Sequence, residues 1–174
     1  MKRTLCLALS VLGVVAAAAS GPADGQAAFE RLKTLEGTWE AVGRDGKKVV
    51  TVFELTANGS VLLERYSNPA LPSGGAMTTA YHLDGRDLVL THYCIAKNQP
   101  TLRAERYDAA AGEVQFEFVR ASNLPTPDAG HMRRAKYRFE GSNRFTTEWE
   151  FFAKGQKTMT EVETFTRVKP ATND

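Results

Sequence analysis

His92 and Cys94 are the one place in this sequence where an imidazole and a thiol stand two residues apart, the residue types of a base and its nucleophile. Such a pair needs mutual hydrogen-bonding reach and something that lowers the thiol pKa. On a strand, positions i and i+2 point the same way but lie about 6–7 Å apart at Cα, so the spacing alone does not make the contact. As metal ligands the two fall short of the usual three or four, and His82 has the opposite strand parity. A packed histidine beside a small inert thiol is the plainer reading, because buried free cysteine is common. Glu161 and Glu163 also share a strand face. Paired carboxylates perform acid–base chemistry when a defined separation and unlike environments split their pKa values. Neither condition is legible in a sequence, and strand charges of this kind are expected on a solvated face.

Phe145, Thr147, Trp149 and Phe151 alternate with Thr146, Glu148, Glu150 and Phe152, which turns Trp149 inward as core filling or as a platform for a ligand. The sequence has no Gly-x-Ser-x-Gly, no phosphate-binding glycine loop, no His-Glu-x-x-His and no dinucleotide fingerprint. Three histidines spread over three strands do not resemble a zinc site. No catalytic residue, metal or cofactor is therefore assigned.

The segment Asp87 to Ile95 carries the clearest placement. Alternation puts Leu88, Leu90, His92 and Cys94 on one face and Val89, Thr91, Tyr93 and Ile95 on the other. With Asp84-Gly85 as a two-residue turn, Leu83 faces Arg86, Tyr81 faces Leu88 and Met77 faces His92. Met77, Thr79, Tyr81, His92 and Cys94 then share a surface with Leu88 and Leu90, taken as the side of a cavity. Apolar walls with a few placed polar groups are what small-molecule sites look like. With Trp149, these five form the candidate ligand-binding set.

These residues need a scaffold to position them, and the rest of the chain supplies its outline. Ala28, Phe29, Leu32 and Leu35 give Gln26 to Leu35 an amphipathic helical pattern ended by Gly37, a helix suited to covering one mouth of the β structure after it. From Thr38 onward, turn residues such as Asn58-Gly59, Asp84-Gly85 and Ala111-Gly112 separate short β-rich runs. Strands are predicted near 38–43, 47–56, 60–67, 76–84, 87–95, 101–109, 112–120, 131–140, 143–152 and 157–168. Ten strands in meander order with no intervening helix make an all-β chain, a single antiparallel up-and-down barrel with a short N-terminal helix. Two longer loops, 67–75 and 121–130, carry prolines that exclude central-strand pairing; each offers one leucine, Leu71 or Leu124, as a lid over an opening, though ordinary surface loops are the plainer reading. The tail beyond Val168 is expected to fray.

The chain ends and the charge bound the function. Lys2 and Arg3, an apolar run from Leu5 to Val15 and a small-residue stretch from Ala16 to Ser20 have the three-part form of a secretory signal. That run is too short for a membrane span, and Cys6 lies too early in it for a lipid-modified cysteine. Residues 1–20 are thus expected to be a signal peptide and residues 21–174 one periplasmic or extracellular domain with no membrane span. Cleavage leaves Cys94 as the sole cysteine, so no internal disulfide can hold the fold. Of the 22 basic residues, Lys2 and Arg3 leave with the signal, which balances the remainder against the 20 acidic ones. A balanced charge argues against nucleic acid as a partner. The basic run from His131 to Lys136 is expected to be a solvated strand face.

Leu35-Glu36-Gly37-Thr38-Trp39 resembles the Gly-x-Trp opening of the lipocalins and related calycins, where a short helix leads into the first strand. The resemblance implies that Trp39 closes one barrel end against an arginine of a late strand, for which Arg167 is the match. The stretch from Tyr81 to Cys94, with Asn98-Gln99-Pro100 after it, is similar to small exported bacterial lipocalin-like domains, which implies a fold and no activity. Ten strands fit the fatty-acid-binding-protein and nitrobindin branch better than the eight of typical lipocalins. Nitrobindin-like proteins hold haem through a histidine on the last strand; Thr158 to Val168 has none, so haem held in that way is not expected.

The sequence leaves three readings of function. The first is an exported barrel that binds a lipophilic or amphipathic small molecule, and it is favoured. The second is a cell-envelope interaction or structural barrel filled by its own side chains. The third is a cavity enzyme, an isomerase or hydrolase with His92 as general base.

Overall fold

The computed structural model describes residues 24–168; the expected signal segment, residues 1–20, and the tail beyond Val168 lie outside them. A helix, α1 (Gly25–Lys33), precedes ten strands: β1 (Gly37–Val42), β2 (Lys48–Thr56), β3 (Val61–Ser67), β4 (Met77–Asp84), β5 (Asp87–Tyr93), β6 (Gln99–Asp108), β7 (Glu113–Ser122), β8 (His131–Phe139), β9 (Arg144–Ala153) and β10 (Gln156–Arg167). Each strand pairs with its sequence neighbour and β10 returns to β1, giving a closed antiparallel up-and-down barrel. Every predicted strand is present, within two residues at each end.

An up-and-down meander sorts its turns. Those after odd-numbered strands gather at one end, and those after even-numbered strands gather with α1 at the other. The helix is capped by the Asp24 carboxylate, which accepts from the Ala27 amide at 3.1 Å, satisfying a donor the first turn leaves free. Its buried face is Ala28, Phe29 and Leu32, and each large apolar side chain so buried contributes about 1.5–3 kcal/mol. The N-terminus of the helix lies directly on the β4–β5 turn: a Cβ on Gly25 would stand 2.2 Å from the Arg86 carbonyl oxygen. At the other side Arg31 covers the Phe139 ring at 4.6 Å. The helix plugs this end.

Closure of the barrel depends on side chains here. β1 and β10 pair only through Trp39↔Arg167 and Glu40↔Thr166. The Arg167 guanidinium lies 4.1 Å over the Trp39 ring and donates to the Glu36 and Thr34 carbonyls, both at 2.7 Å. Trp39 is buried, its indole N–H donates to the Leu35 carbonyl at 2.6 Å, and Phe145 meets it edge-on at 4.8 Å. The expected Trp39–Arg167 pair is thus present, and it ties the first strand, the last strand and the helix exit together.

The β4–β5 hairpin departs from the predicted register. Its turn residues are Gly85 and Arg86, with Leu83↔Leu88, Tyr81↔Leu90 and Thr79↔His92 as partners. Gly85 has φ of +61° at the first central position, the place a type II′ turn reserves for glycine. The slip is two residues, so the faces are unchanged. Of the basic run on β8, Arg133, Arg134 and Lys136 lie as expected on the outer wall, where Arg134 pairs with Glu117 and Glu150, and Lys136 with Glu148; His131, expected there too, is buried against Phe118. Among the described residues no helix is long and apolar enough to cross a membrane.

Candidate functional site

At the end opposite α1 the barrel is open, and a cavity of about 680 Å³ runs into it. Its rim comes from the turns after β1, β3 and β5, with Arg44 and Asp45, Asn68, Ala70 and Leu71, and Cys94 to Ala96. Of the candidate residues, Met77, Thr79, His92, Cys94 and Trp149 line the cavity, and so does the loop leucine Leu71. Tyr81 does not: it is fully buried one step below, in the floor. Leu124 takes no part in the lining.

The floor is a hydroxyl–carboxyl cluster that the sequence does not announce. Glu64 on β3 is only 5% exposed. One carboxyl oxygen accepts from Thr51 at 2.9 Å and the other from Tyr81 at 2.6 Å; the Tyr137 hydroxyl stands 3.2 Å from that second oxygen and also against the Tyr81 hydroxyl, with one proton to give to either. Burial raises the Glu64 pKa against the opposing effect of those donors. The same burial, reinforced by the neighbouring carboxyl, holds both phenols well above their ordinary value. Three strands and the far wall thereby meet on one carboxyl group. A fully satisfied network of this kind fixes a unique arrangement.

Higher in the cavity stands a second carboxyl group. Glu163 on β10 is 6% exposed and accepts from the Tyr66 hydroxyl at 2.9 Å, which Asn68 supports with a bond of 3.1 Å. Burial, with the Glu161 and Glu64 charges beside it, raises its pKa to about 7. Glu161 and Glu163 therefore do not form a solvated face. Phe165 has their parity and is core, so the alternation of β10 turns all three inward. Glu161 is met at the rim by Arg44 at 3.4 Å, and Arg44 also bonds the Thr160 carbonyl. This contact bridges the side where β1 and β10 no longer pair.

The thiol–imidazole pair is absent as a catalytic unit. His92 bonds through Nδ1 to Thr79 at 3.0 Å, and its ring lies against Trp149 at 4.9 Å. Its Nε2 has no hydrogen-bond partner among the described residues. Burial lowers the His92 pKa to about 4 and raises that of the Cys94 thiol, so imidazole and thiol both stay neutral at pH 7. Among the described residues no three His, Cys, Asp or Glu side chains converge as a metal site needs.

The walls are apolar: Trp149, Phe151, Phe165, Ile95 and the three methionines Met77, Met132 and Met159. Apart from Met1, these are all the methionines of the chain. Methionine is flexible and polarisable, suited to surfaces that accept more than one shape.

Neither a scan of protein-family models nor a search of curated proteins found a match. Among solved structures, the chain is similar to a protein of unknown function of the DUF3598 family from Nostoc punctiforme, with 14% identity and a TM-score of 0.51. The match covers 79% of this chain and 49% of that protein, so the barrel spans about half of its neighbour's length, and the likeness is one of fold.

Proposed function

We propose that the protein is an exported, lipocalin-like barrel that binds a lipophilic or amphipathic small molecule in its open end. The observation that carries this reading is the cavity of about 680 Å³, within the roughly 300–1,000 Å³ range of small-molecule sites. Its apolar walls would take the body of a ligand, and Glu163 and His92 would orient a polar end. A barrel filled by its own side chains would have no such space. A base with a pKa near 4 is poorly matched to neutral pH, which disfavours an enzyme built on His92. The Trp39–Arg167 pair, the leading helix and the ten-stranded meander support the kinship with calycins, and residues 1–20 support export.

Titration with the uncharged probe N-phenyl-1-naphthylamine tests the reading. Saturable one-to-one enhancement of its fluorescence is expected. Thr147→Phe, which places a ring in the cavity, weakens it by about tenfold or more, a loss of about 1.4 kcal/mol, with the melting temperature retained. Met77→Trp blocks the same space from β4 if the first variant folds poorly. Absence of saturable binding to the wild type would refute the reading.

A further inference from the structure

Resting on that reading, we propose that the occupant is an amphipathic cation, with a protonated amine on Glu163 and an apolar body against Trp149, Phe151 and the methionines. Most of the charged groups in the cavity are already engaged. Both oxygens of Glu64 are taken by Thr51, Tyr81 and Tyr137. Arg44, the only arginine or lysine lining the cavity among the described residues, is held at the rim by Glu161 and the Thr160 carbonyl. Glu163 is different: Tyr66 bonds one of its oxygens, and the other accepts no hydrogen bond among the described residues. Deep in the same cavity His92, 5% exposed, leaves Nε2 without a partner.

The cavity is thus rich in acceptors and has no cation to spare. A carboxylate ligand would enter beside Glu161 and Glu163, and like charges brought together without water repel strongly. An ammonium group finds the free oxygen of Glu163, and Tyr66 and Trp149, which line the same cavity, belong to the aromatic residues that attract cations. His92 stays neutral above about pH 4 and does not oppose it. The groups facing Glu163 are Tyr66 and Glu64 from β3, Glu161 on its own strand and Arg44 from the turn after β1. Its charge therefore develops near neutral pH, and amine affinity rises with it.

Decylamine, decanol and decanoate share one apolar body and differ in the charge of the head. By calorimetry at pH 8, decylamine is expected to bind about ten- to a hundredfold more tightly than decanoate, the range of a charge-assisted hydrogen bond. Glu163→Gln should abolish most of that preference while leaving decanol affinity unchanged. Glu40→Gln, a substitution on a surface carboxylate paired with Lys48, should leave the preference intact. Lowering the pH to 5.5, where the alkylammonium is still charged, should reduce it as Glu163→Gln does. Equal or tighter binding of decanoate overturns the inference, as does a preference that survives Glu163→Gln or falls equally with Glu40→Gln. If decanol binds and the preference is missing, the cavity reading stands and the cation fails. If none of the three binds, the cavity reading itself fails.

Discussion

Trp39→Ala is expected to lower the stability of the barrel by about 3–5 kcal/mol, the cost of removing a large buried aromatic side chain. The substitution removes more than volume. It deletes the indole bond to the Leu35 carbonyl, the edge contact with Phe145 and the surface on which Arg167 lies. β1 and β10 share only two register pairs, so few backbone bonds at the seam can compensate. Arg167→Lys keeps the charge but loses the planar fork that reaches the Thr34 and Glu36 carbonyls together, and a smaller loss of about 1–2 kcal/mol is expected. Denaturant titration reads both from the shift of the midpoint, with the slope showing that the unfolding unit is unchanged. A loss below about 1 kcal/mol for Trp39→Ala would mean that closure is carried elsewhere.

The second large effect is on pH dependence. The Glu163 carboxyl titrates near 7 in the folded chain against 4.5 for an ordinary glutamate. A raised carboxyl pKa favours the protonated form, so its stabilising contribution is full below pH 4.5 and is lost as the pH rises through 7. Glutamine is neutral throughout. The stability of Glu163→Gln relative to wild type should therefore climb by on the order of 3 kcal/mol between pH 4.5 and pH 8 and then level off. His92 contributes the opposite slope: its pKa is lowered to about 4, so its stabilising contribution is lost as the pH falls from 6.5. Comparing variant with wild type at each pH cancels that contribution. A difference independent of pH would show that Glu163 is ionised as an ordinary surface carboxylate is, and with it the account of the cavity's electrostatics would fall.

Both effects depend on features the sequence discloses unequally. The strands are legible because glycine, asparagine and aspartate punctuate them, and Gly37-Thr38-Trp39 with Arg167 marks both edges of the seam. The β4–β5 turn comes out two residues off in register because Asp84-Gly85 and Gly85-Arg86 are both plausible turn centres and both give Gly85 a positive φ; Asp84, which an Asp-Gly centre of type I′ would also turn to positive φ, instead pairs with Asp87. The even slip preserves parity, which is why Thr79, His92 and Cys94 still fall on the cavity side.

The carboxyl groups escape a sequence reading for a different physical reason. A glutamate on a strand reads as solvated, since burying a charge is costly. Glu64 escapes that cost through Thr51 and Tyr81 on the two flanking strands and Tyr137 from a strand far off in the chain. A local signal exists nonetheless: Glu64 shares parity with buried Leu62, and Glu163 with buried Phe165. Parity with a certain core residue is better evidence than charge. Tyr66 shares the parity of Leu62 as well, but its partner, like the role of Arg44, depends on where β3 and the turn after β1 meet β10 in space.

The open end of the barrel is, on this account, a ligand site, and native mass spectrometry of the intact protein tests that most directly. After exposure to decanol or decylamine, the wild type should carry one molecule of either, released on denaturation, and a folded Thr147→Phe variant should carry neither. A wild type that remains at its bare mass with both, or a variant that takes them up as readily, would contradict it.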